Sequence, residues 1–520
     1  MLTLEPESFD WALEHAVNHG DTTMFPLPFE YHAIKHDWAN VRSFLEQHDI
    51  LSWTVRPHRT MLAPKSSYAF RVITQLDPLD FLVYAALLKE LGSDLESVRI
   101  STAQVFSFRF SPAADGRLFD PKLGYSNFRE KSEELLKANR SISHVGVADI
   151  ADFYPRIYHH RLEGALDNAT TKRNHVVAVM RLLKGWNNTE TFGIPVGNAP
   201  SRLLAEVAIS DIDEALLAKG VQFVRYNDDY RIFGEDYSQA FRDVAFLGEV
   251  LYKNHGLTLQ TQKTTVVTRA EFERRFLPGP EERELDSLTL KFNHLCEELG
   301  IADWYSDIEY DDLEPEQKVL VDSLNLVEIF DEESEKEDPD LGVIRFVLGR
   351  MGQLGDDALV DQAILKLNSL HPAFPEIIGY LKKLRSLSST RSSEIGAKIL
   401  DLLSDSLISE LDYYRMWALD LFTHSTEWDN DSRFFTLLGE ARDPLSRRKL
   451  ILAMGRAGQR HWFQSHWRNL FDEPDWPRRA LLAAGSCLTQ DARNHWYRSV
   501  EPRLNPLEKA VMRWAKDNPF

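Results

Sequence analysis

Two short apolar stretches end in aspartates, and this arrangement constrains the fold more than any other feature of the sequence. HVGVADIADFY carries Asp149, and VQFVRYNDDYRIFG carries Asp228 and Asp229. Both stretches are rich in β-branched and aromatic residues, which predicts strands. Between them, PSRLLAEVAISDIDEALLAKG has apolar residues at helical spacing and predicts a helix that ends near Gly220. The predicted unit is therefore strand, helix, strand, with carboxylates at the strand ends.

The three aspartates fit a site for magnesium. Carboxylates placed behind buried strands are costly to bury unless a cation compensates them. Phosphoryl transfer from a nucleoside triphosphate uses two magnesium ions, and hard carboxylate oxygens are suitable ligands for them. We therefore predict that Asp149, Asp228 and Asp229 bind two Mg²⁺ ions, with Mn²⁺ as an alternative. Taken alone, a tandem Asp-Asp pair is more often an exposed turn.

The net charge of −20 is unevenly distributed. Residues 276–350 carry 6 basic and 22 acidic side chains, whereas residues 1–275 carry a net −5 and residues 351–520 a net +1. Like charges in a block repel one another and resist packing, so we predict an acidic connector over 276–350. A docking strip for a basic surface is the alternative. Outside this segment the chain is close to neutral, so its charge does not exclude a nucleic-acid partner.

Residues 351–520 contain almost no strand signal, and they repeat. The windows DYYRMWAL, DPLSRRKL, PDWPRRAL and NPLEKAVM begin at residues 412, 443, 474 and 505, a spacing of 31. Apolar residues recur at their third and eighth positions, as in Tyr414 and Leu419. Helical units of this length stack their apolar faces on their neighbours, so we predict an all-α, HEAT-like repeat domain. An irregular helical bundle is the alternative.

Four arginines fall at equivalent positions of two of these windows. They are Arg447, Arg448, Arg478 and Arg479. Stacked repeats would align them into a basic ridge suited to phosphate or to an acidic strip. Pairing with carboxylates at helix ends explains them equally well.

Other features of the sequence point to a cytoplasmic protein. No apolar run approaches the ~18 residues of a membrane-spanning helix, and the start MLTLEPESFDW lacks the pattern of a secretory signal. Cys296 and Cys487 are too few for a disulfide framework or a cysteine-based zinc site. We therefore expect no membrane partner.

Four motifs in this order resemble motifs A to D of a reverse transcriptase palm: DIADFYPRI, GIPVGNAPSRLLAE, YNDD and GLTLQTQKT. Upstream, LAPKSSYAFRVI resembles the fingers segment. VFSFRFSP resembles a motif of bacterial reverse transcriptases of the abortive-infection and defence-associated groups, which also have C-terminal helical repeats. The resemblance covers roughly residues 60–265. It implies an α+β fold, with fingers and palm over residues 1–275 followed by the helical-repeat domain over 351–520.

The resemblance also implies roles for individual residues. Asp149, Asp228 and Asp229 are the expected catalytic and metal-binding residues, and Lys263 is the expected proton donor to pyrophosphate. The expected dNTP-binding residues are Lys65 and Arg71 at the fingertips, Tyr154 as the ring that excludes a ribose 2′-hydroxyl, and Gly193, Pro195 and Gly197 in the motif B loop. Two features depart from the family: Val196 stands where many members have glutamine, and no clear primer grip or thumb follows residue 275.

The implied function is a DNA polymerase of the reverse transcriptase family in antiphage defence. Relatives with this architecture add dNTPs without a conventional template, prime synthesis from a tyrosine and form closed oligomers, so we expect a homo-oligomer and DNA attached to the protein. The sequence contains 16 tyrosines and singles out none, although Tyr31 is one candidate. Two alternatives remain open: templated reverse transcription of a bound non-coding RNA, and a nucleic-acid-binding scaffold whose catalysis is dispensable.

Overall fold

The computed structural model describes residues 1–187, 190–277, 326–336, 339–384, 387–404, 406–441 and 443–520. Residues 278–325, which make up the larger part of the predicted acidic connector and include Cys296, lie outside these ranges. Further along the connector, Leu326–Ser334 and Leu341–Leu354 are helices, and their apolar side chains pack into the core of the helical region.

The N-terminal half alternates helices with short strands. In chain order its elements are α1 (Pro6–His19), α2 (Glu30–His36), α3 (Trp38–Gln47), β1 (Arg59–Ser66), β2 (Ala69–Gln75), α4 (Pro78–Ser97), α5 (Tyr125–Ala138), β3 (His144–Asp149), α6 (Phe153–Arg156), α7 (His159–Ala169), α8 (Arg173–Asn187), α9 (Ala199–Ala208), α10 (Ser210–Ala218), β4 (Gln222–Tyr226), β5 (Asp229–Gly234), α11 (Tyr237–Val250), β6 (Thr265–Thr268) and α12 (Arg269–Phe276). A π-helical turn, Leu251–His255, extends α11.

A four-stranded antiparallel sheet in the order β4-β5-β3-β6 carries the aspartates. β3 is the first predicted strand, and β4 and β5 form a hairpin within the second predicted stretch. The sequence analysis did not predict β6, a strand of four residues that pairs with β3. Ala148 and Tyr230 pack against the helices on one face, while Val145 and Phe233 pack on the other against side chains that include Phe272 of α12.

The helix predicted between the two aspartate-bearing stretches is two helices. Ile209 leaves helical geometry between α9 and α10, with φ −115° and ψ 15°. The hydroxyl of Ser210 donates a hydrogen bond to the carbonyl of Val207, which satisfies one of the acceptors that the break exposes. The second helix ends at Ala218, and Gly220 follows with a positive φ of 77°, close to the predicted end.

The second half of the chain is mostly helical. Its α-helices after Leu341–Leu354 are Val360–Leu365, Leu367–Leu370, Phe374–Lys383, Ser389–Asp401, Leu407–Glu410, Asp412–His424, Asp431–Glu440, Pro444–Arg456, Arg460–His466, Asp475–Ala484, Gln490–Val500 and Pro506–Asp517. No helix of the described residues is long and apolar enough to cross a membrane.

The repeated windows coincide with helices that pack on one another in series. These helices begin at residues 412, 444, 475 and 506, and each one contacts the next. The residues at the third position of the windows, such as Trp476, and those at the eighth, such as Leu481, are buried. Asp443 and Asn505 cap their helices with side-chain hydrogen bonds, whereas the helix Asp412–His424 has Leu411 at its cap position.

The helical region and the β1–β2 hairpin share one apolar core. Met61, Ala63 and Ile73 of the hairpin belong to the same cluster of buried side chains as the apolar residues of the helices. The last helix, Pro506–Asp517, in turn contributes Leu507 to the core of the N-terminal half. The two halves are therefore joined by packing as well as by the chain.

Ion pairs account for the four arginines, and the buried pairs of Arg448 and Arg479 add to this junction. Arg448 pairs with Glu30 of α2, and Arg479 pairs with Asp77 at the start of α4. Arg447 pairs with Glu473, and Arg478 pairs with Glu508 and Asp475. The arginines therefore bind carboxylates of the chain itself instead of forming an exposed basic ridge.

Candidate active site

The sheet brings the three predicted aspartates together. Asp149 ends β3 and Asp229 begins β5, and the strand register makes them direct cross-strand neighbours. Asp228 lies in the turn that precedes β5, and its carbonyl accepts a hydrogen bond from the backbone N–H of Ile150 (3.1 Å). Three carboxylates are thus gathered at one edge of the sheet, as the strand-end pattern predicted.

Repulsion among these carboxylates changes their acidity. Burial and the charge of Asp149 raise the pKa of Asp228 to about 6, while the positive charges of Lys263 and Lys65 oppose the shift. Burial and the charges of Asp228 and Asp149 raise the pKa of Asp229 to about 7. Like charges held close together in a poorly solvated place favour the protonated form. The cluster is therefore a place where a cation is stabilised.

Lys263 supplies one such cation. Its Nζ donates a hydrogen bond to Oδ2 of Asp149 (2.6 Å), and its side chain is half exposed. Burial lowers the pKa of Lys263, but the bond to Asp149 and the charges of the other two aspartates outweigh this effect and raise it above its ordinary value. The ammonium group therefore stays protonated beside the aspartates at neutral pH.

The donor set of this site suits magnesium by its chemistry. Carboxylate oxygens are hard ligands, and the mutual repulsion of Asp149, Asp228 and Asp229 is the kind that a divalent cation relieves. Across the part of the chain that the structure describes, no three His, Cys, Asp or Glu side chains already stand in a metal-ligating arrangement. Asp149 is instead engaged by Lys263.

Tyr154 lies next to the aspartates, where its sequence position predicted it. It belongs to the short helix α6, and its hydroxyl donates a hydrogen bond to Oδ1 of Asn227 (3.2 Å). Asn227, in the β4–β5 turn, adopts a positive φ of 55° and donates from Nδ2 to Oδ1 of Asp228 (2.6 Å). A hydrogen-bonded series therefore joins the tyrosine ring to the carboxylate of Asp228. The sequence analysis gave Asn227 no role.

The motif B loop packs between α6 and the N-terminal segment. Gly193 and Gly197 have φ values of 90° and 109°, which favour glycine. A Cβ on Gly197 would lie 2.7 Å from Oγ1 of Thr22. Pro195, between the two glycines, is buried, and the carbonyl of Val196 accepts a hydrogen bond from the backbone N–H of Thr74 in β2 (3.1 Å). The backbone of Val196, at the position where the family often has glutamine, thus hydrogen-bonds this loop to the β1–β2 hairpin. We call this hairpin the fingers hairpin, because it contains the segment that resembles the fingers.

The two predicted fingertip cations lie on the β1–β2 hairpin. Lys65 falls where the strand register shifts between Pro64 and Ser66, is exposed, and is close enough to affect the pKa of Asp228. Arg71 stands opposite Ala63 in the register, and its charge reaches Tyr413 of the helical region. Of the two, Lys65 is the one whose electrostatic influence on the aspartates is evident.

A buried ionic network supports the β4–β5 turn that holds Asp228, and it was not predicted from the sequence. Glu206, at the end of the quoted motif B, pairs with Arg99 (2.6 Å) and Arg225 (3.0 Å). Ser107, in VFSFRFSP, donates to Glu206 (2.5 Å) and accepts from the backbone N–H of Asn227 (2.8 Å). The network thus ties both motifs to the turn that holds Asp228. The signal was present in the quoted motifs, but Ser107 and Arg99 are 99 and 107 residues from Glu206 along the chain.

The structure does not support Tyr31 as a priming residue. Its side chain is completely buried in the core of the N-terminal half. An attacking hydroxyl must reach a nucleotide, and burial denies this to Tyr31. Its burial reflects the apolar environment of α2, which short-range sequence patterns do not reveal.

Comparison with known proteins identifies the domain that contains this site. Residues 64–294 match the family model described as reverse transcriptase (RNA-dependent DNA polymerase). This range includes Lys65, the motif B loop, the three aspartates and Lys263. The chain therefore contains a reverse transcriptase domain, which indicates an enzyme of the polymerase-type nucleotidyltransferase class. No curated protein matches the chain.

Solved structures similar to the chain include telomerases of two Candida species. The telomerase of Candida tropicalis in complex with a TWJ fragment of telomeric RNA is 12% identical, with a TM-score of 0.32 over 66% of this chain and 64% of that one. The corresponding complex of Candida albicans is 14% identical, with a TM-score of 0.30 over 73% and 65%. Apo telomerase of Candida tropicalis is 10% identical, with a TM-score of 0.33 over 72% and 70%. The chain thus spans less than two thirds of the first two of these chains.

Proposed function

We propose that the chain is a DNA polymerase that joins the α-phosphate of a dNTP to a hydroxyl group and releases pyrophosphate. The observation that carries this proposal is the cross-strand pairing of Asp149 with Asp229, beside Asp228 and with Lys263 Nζ 2.6 Å from Asp149. The match of residues 64–294 to the reverse transcriptase family supports the same reaction class.

The proposed division of labour follows from the position of each side chain. Asp149, Asp228 and Asp229 would hold two Mg²⁺ or Mn²⁺ ions, which when bound supply activation of the attacking hydroxyl and neutralisation of pyrophosphate. Lys263, whose pKa is raised, holds a proton that it can give to the leaving pyrophosphate. Lys65 attracts the triphosphate by its charge.

Selection of deoxynucleotides is assigned to Tyr154. Its hydrogen bond to Asn227 fixes the ring beside Asp228, where it would collide with a ribose 2′-hydroxyl. The raised pKa of Tyr154, caused mainly by burial, keeps the hydroxyl protonated as the donor in that bond. Gly193, Pro195 and Gly197 would let the motif B backbone approach the nucleotide, and Arg71 would contact its phosphates.

The finer parts of the proposal rest on the motif resemblance to the bacterial defence group. They are a role in antiphage defence, synthesis without a conventional template, a homo-oligomer, and a tyrosyl primer that leaves DNA attached to the protein. The serial packing of the helices that begin at 412, 444, 475 and 506 supports a HEAT-like repeat domain.

The candidate primer changes because Tyr31 is buried. Tyr68, at the fingertip, is 95% exposed and is the most exposed tyrosine among the described residues, so it replaces Tyr31 as the candidate.

The polymerase proposal is tested by incubating the purified full-length chain with labelled dNTPs and MgCl₂, with and without prior nuclease treatment. We expect labelled DNA from the native chain and none from Asp228→Asn combined with Asp229→Asn. Asp152→Asn is the matched control, because Asp152 is exposed in the same region and has a positive φ of 48°, which asparagine tolerates. Undiminished synthesis by the double variant would remove these aspartates from the active site.

The finer proposal is tested with the same reaction. Label that stays with the protein after denaturation and is lost in Tyr68→Phe, but not in Tyr252→Phe, supports priming from the fingertip. Tyr252 is a suitable control because it is also exposed (68%) but lies in the π-helical turn after α11. Synthesis that survives nuclease and gives products without a defined sequence supports untemplated addition. A defined sequence, or loss of synthesis after RNA digestion, would instead indicate a bound RNA template.

A further inference from the structure

A cavity lies at the junction of the two halves, away from the aspartates. It has a volume of about 220 Å³ and is lined on one side by residues 26–29, His32 and Arg59. On the other side lie side chains of the helices Asp412–His424, which contributes the carboxylate of Asp420, Pro444–Arg456 and Pro506–Asp517, together with Phe520. His32 and Leu27 of its lining are exposed, so the cavity is accessible from solvent.

The cavity holds more positive charge than the chain neutralises. Arg448 is matched by Glu30, and Lys449 by Asp420, both in buried ion pairs. Arg59 and Arg456 also line the cavity. The charges of Glu30 and Asp21 act on Arg59, but no carboxylate of the described residues lies within ion-pair distance of either guanidinium group. A buried cation without a direct partner is costly, so the buried Arg59, with the half-exposed Arg456 in the same cavity, favours an anionic occupant.

Arg59 is the stronger indication of a ligand. It is 8% exposed, and its Nε and Nη2 atoms are buried without a hydrogen-bond partner in the described structure. Its guanidinium stacks on the ring of Trp476 at 3.3 Å, which holds the group in place but satisfies none of its donors. Buried donors normally have acceptors, so these two require an explanation.

Three aromatic side chains, Phe29, Trp514 and Phe520, also line the cavity, together with aliphatic residues and prolines such as Leu452 and Pro26. The rings of Phe29 and Trp514 stack at 5.6 Å with an interplanar angle of 21°, and Phe520 lies beside them with Arg456 4.9 Å from its centroid. Flat rings of this kind stack on nucleobases, whereas guanidinium groups match the geometry of phosphate oxygens. The aromatic rings are therefore suited to stack on the base of a nucleotide, and the arginines are suited to bind its phosphate.

We propose that this cavity is a second nucleotide site that binds a nucleoside monophosphate, with its phosphate at Arg59 and Arg456 and its base against Phe29, Trp514 and Phe520. This site does not depend on the proposed polymerase activity. Arg59 is the first residue of β1, and the same strand carries Lys65. Occupancy of the cavity therefore stabilises the base of the fingers hairpin where it meets the helical region.

The test is calorimetric titration of the full-length chain with each of the four ribonucleoside 5′-monophosphates in buffer with EDTA. EDTA removes the divalent ions that nucleotide binding at the aspartates would use. We expect saturable binding of at least one nucleotide to a single site. Inorganic phosphate and the corresponding nucleoside should each bind about tenfold or more weakly, because each lacks half of the contacts.

Variants assign the binding to the cavity. Arg456→Gln and Arg59→Met should each weaken the nucleotide by about tenfold or more, since each removes hydrogen bonds to a charged group. Arg498→Gln, an exposed arginine of the helical region outside the cavity, should leave affinity unchanged. If Arg59→Met does not fold, Arg456→Gln still tests the proposal, because Arg456 is half-exposed and its replacement disturbs the core less. Absence of saturable binding, equal affinity for phosphate alone, or full affinity in Arg456→Gln would overturn the proposal.

Discussion

Arg448 and Glu30 form a two-pronged ion pair in the interior of the protein, with nitrogen–oxygen distances of 2.7 and 2.6 Å, although 418 residues separate them in the chain. Burial alone would raise the pKa of Glu30, but the charges of Arg448 and Arg479 outweigh it and lower that pKa to about 2. The carboxylate is therefore charged at neutral pH. This pair is one of the direct contacts between the helical region and the N-terminal half.

Removal of one partner of this pair should destabilise the whole chain. Arg448→Met removes the two hydrogen bonds to the buried Glu30 carboxylate and leaves it only the charges of Arg479 and Arg59, and such a loss costs about 3 to 5 kcal/mol. Arg447→Met is the matched control, because Arg447 pairs with Glu473 while its side chain is 31% exposed, and such pairs contribute about 0 to 1 kcal/mol. Urea denaturation followed by circular dichroism measures both. Equal losses in the two variants would contradict the importance of the buried pair.

Gly197→Ala should impair both stability and polymerase activity. A Cβ there meets Oγ1 of Thr22 at 2.7 Å, and the φ of 109° is unfavourable for alanine, so we expect a loss of about 1 to 3 kcal/mol. Gly164→Ala is the control: it lies inside α7 with no atom within 4 Å of an added Cβ, and alanine there should stabilise the helix by up to about 1 kcal/mol. Thermal denaturation of the two variants should therefore shift in opposite directions.

Tyr154→Val should relax the discrimination against ribonucleotides. The smaller side chain leaves room for a 2′-hydroxyl, and we expect the ratio of rNTP to dNTP incorporation to rise by about tenfold or more, since rejection by an aromatic ring is a steric effect of several kcal/mol. Tyr154→Phe keeps the ring and loses only the hydrogen bond to Asn227, so its discrimination should stay close to native. Parallel reactions with labelled ATP and dATP give the ratio. A large change in Tyr154→Phe would mean that the hydroxyl, and not the ring, sets the selectivity.

The stability of the native chain should depend on the protonation of Asp21. Burial raises the pKa of Asp21 to about 7, far above that of an unfolded aspartate, despite the hydrogen bond from Gln75. The folded state therefore holds a proton that the unfolded chain releases, and its contribution to stability is lost as pH rises from about 4 to about 7, by about 1.4 kcal/mol per pH unit.

Asp21→Asn should remove this contribution. The unfolding free energy of the native chain relative to that of the variant, measured in urea from pH 5 to pH 8, should decrease as the pH rises. Asp491→Asn, at an exposed residue of the helix Gln490–Val500, should show a difference that stays constant with pH. A constant difference for Asp21→Asn as well would mean that its carboxyl is not protonated in the folded chain.

Short-range patterns were sufficient to predict the elements that carry the site. The strand ends at Asp149 and Asp229 and the helices that begin near 412, 444, 475 and 506 follow from alternation and helical spacing, whereas the glycines at 193 and 197 were expected from the resemblance to motif B. These signals span a few residues each, and local sequence determines them.

What the sequence did not reveal depends on contacts between distant residues. The Glu206 network joins Arg99, Ser107 and Arg225, and the aromatic cavity joins residue 29 to residue 514, pairings that a single sequence does not indicate. The four arginines illustrate the same limit: their spacing was visible, but whether they faced solvent or the carboxylates of α2 and α4 depended on where the N-terminal half packs. The role of Val196 likewise became visible only in the structure, where its carbonyl accepts a hydrogen bond from the backbone N–H of Thr74.

The core that the fingers hairpin shares with the helices affects how the protein is made. A ribosome completes Met61, Ala63 and Ile73 more than 300 residues before it reaches the helix Asp412–His424, whose side chains belong to the same apolar cluster. At ~5 to 20 residues per second, the inner face of the hairpin remains uncovered for roughly 20 to 70 seconds of translation. During this interval the nascent chain exposes an apolar surface, and the core of the N-terminal half is complete only when the last helix, which contributes Leu507, has been synthesised.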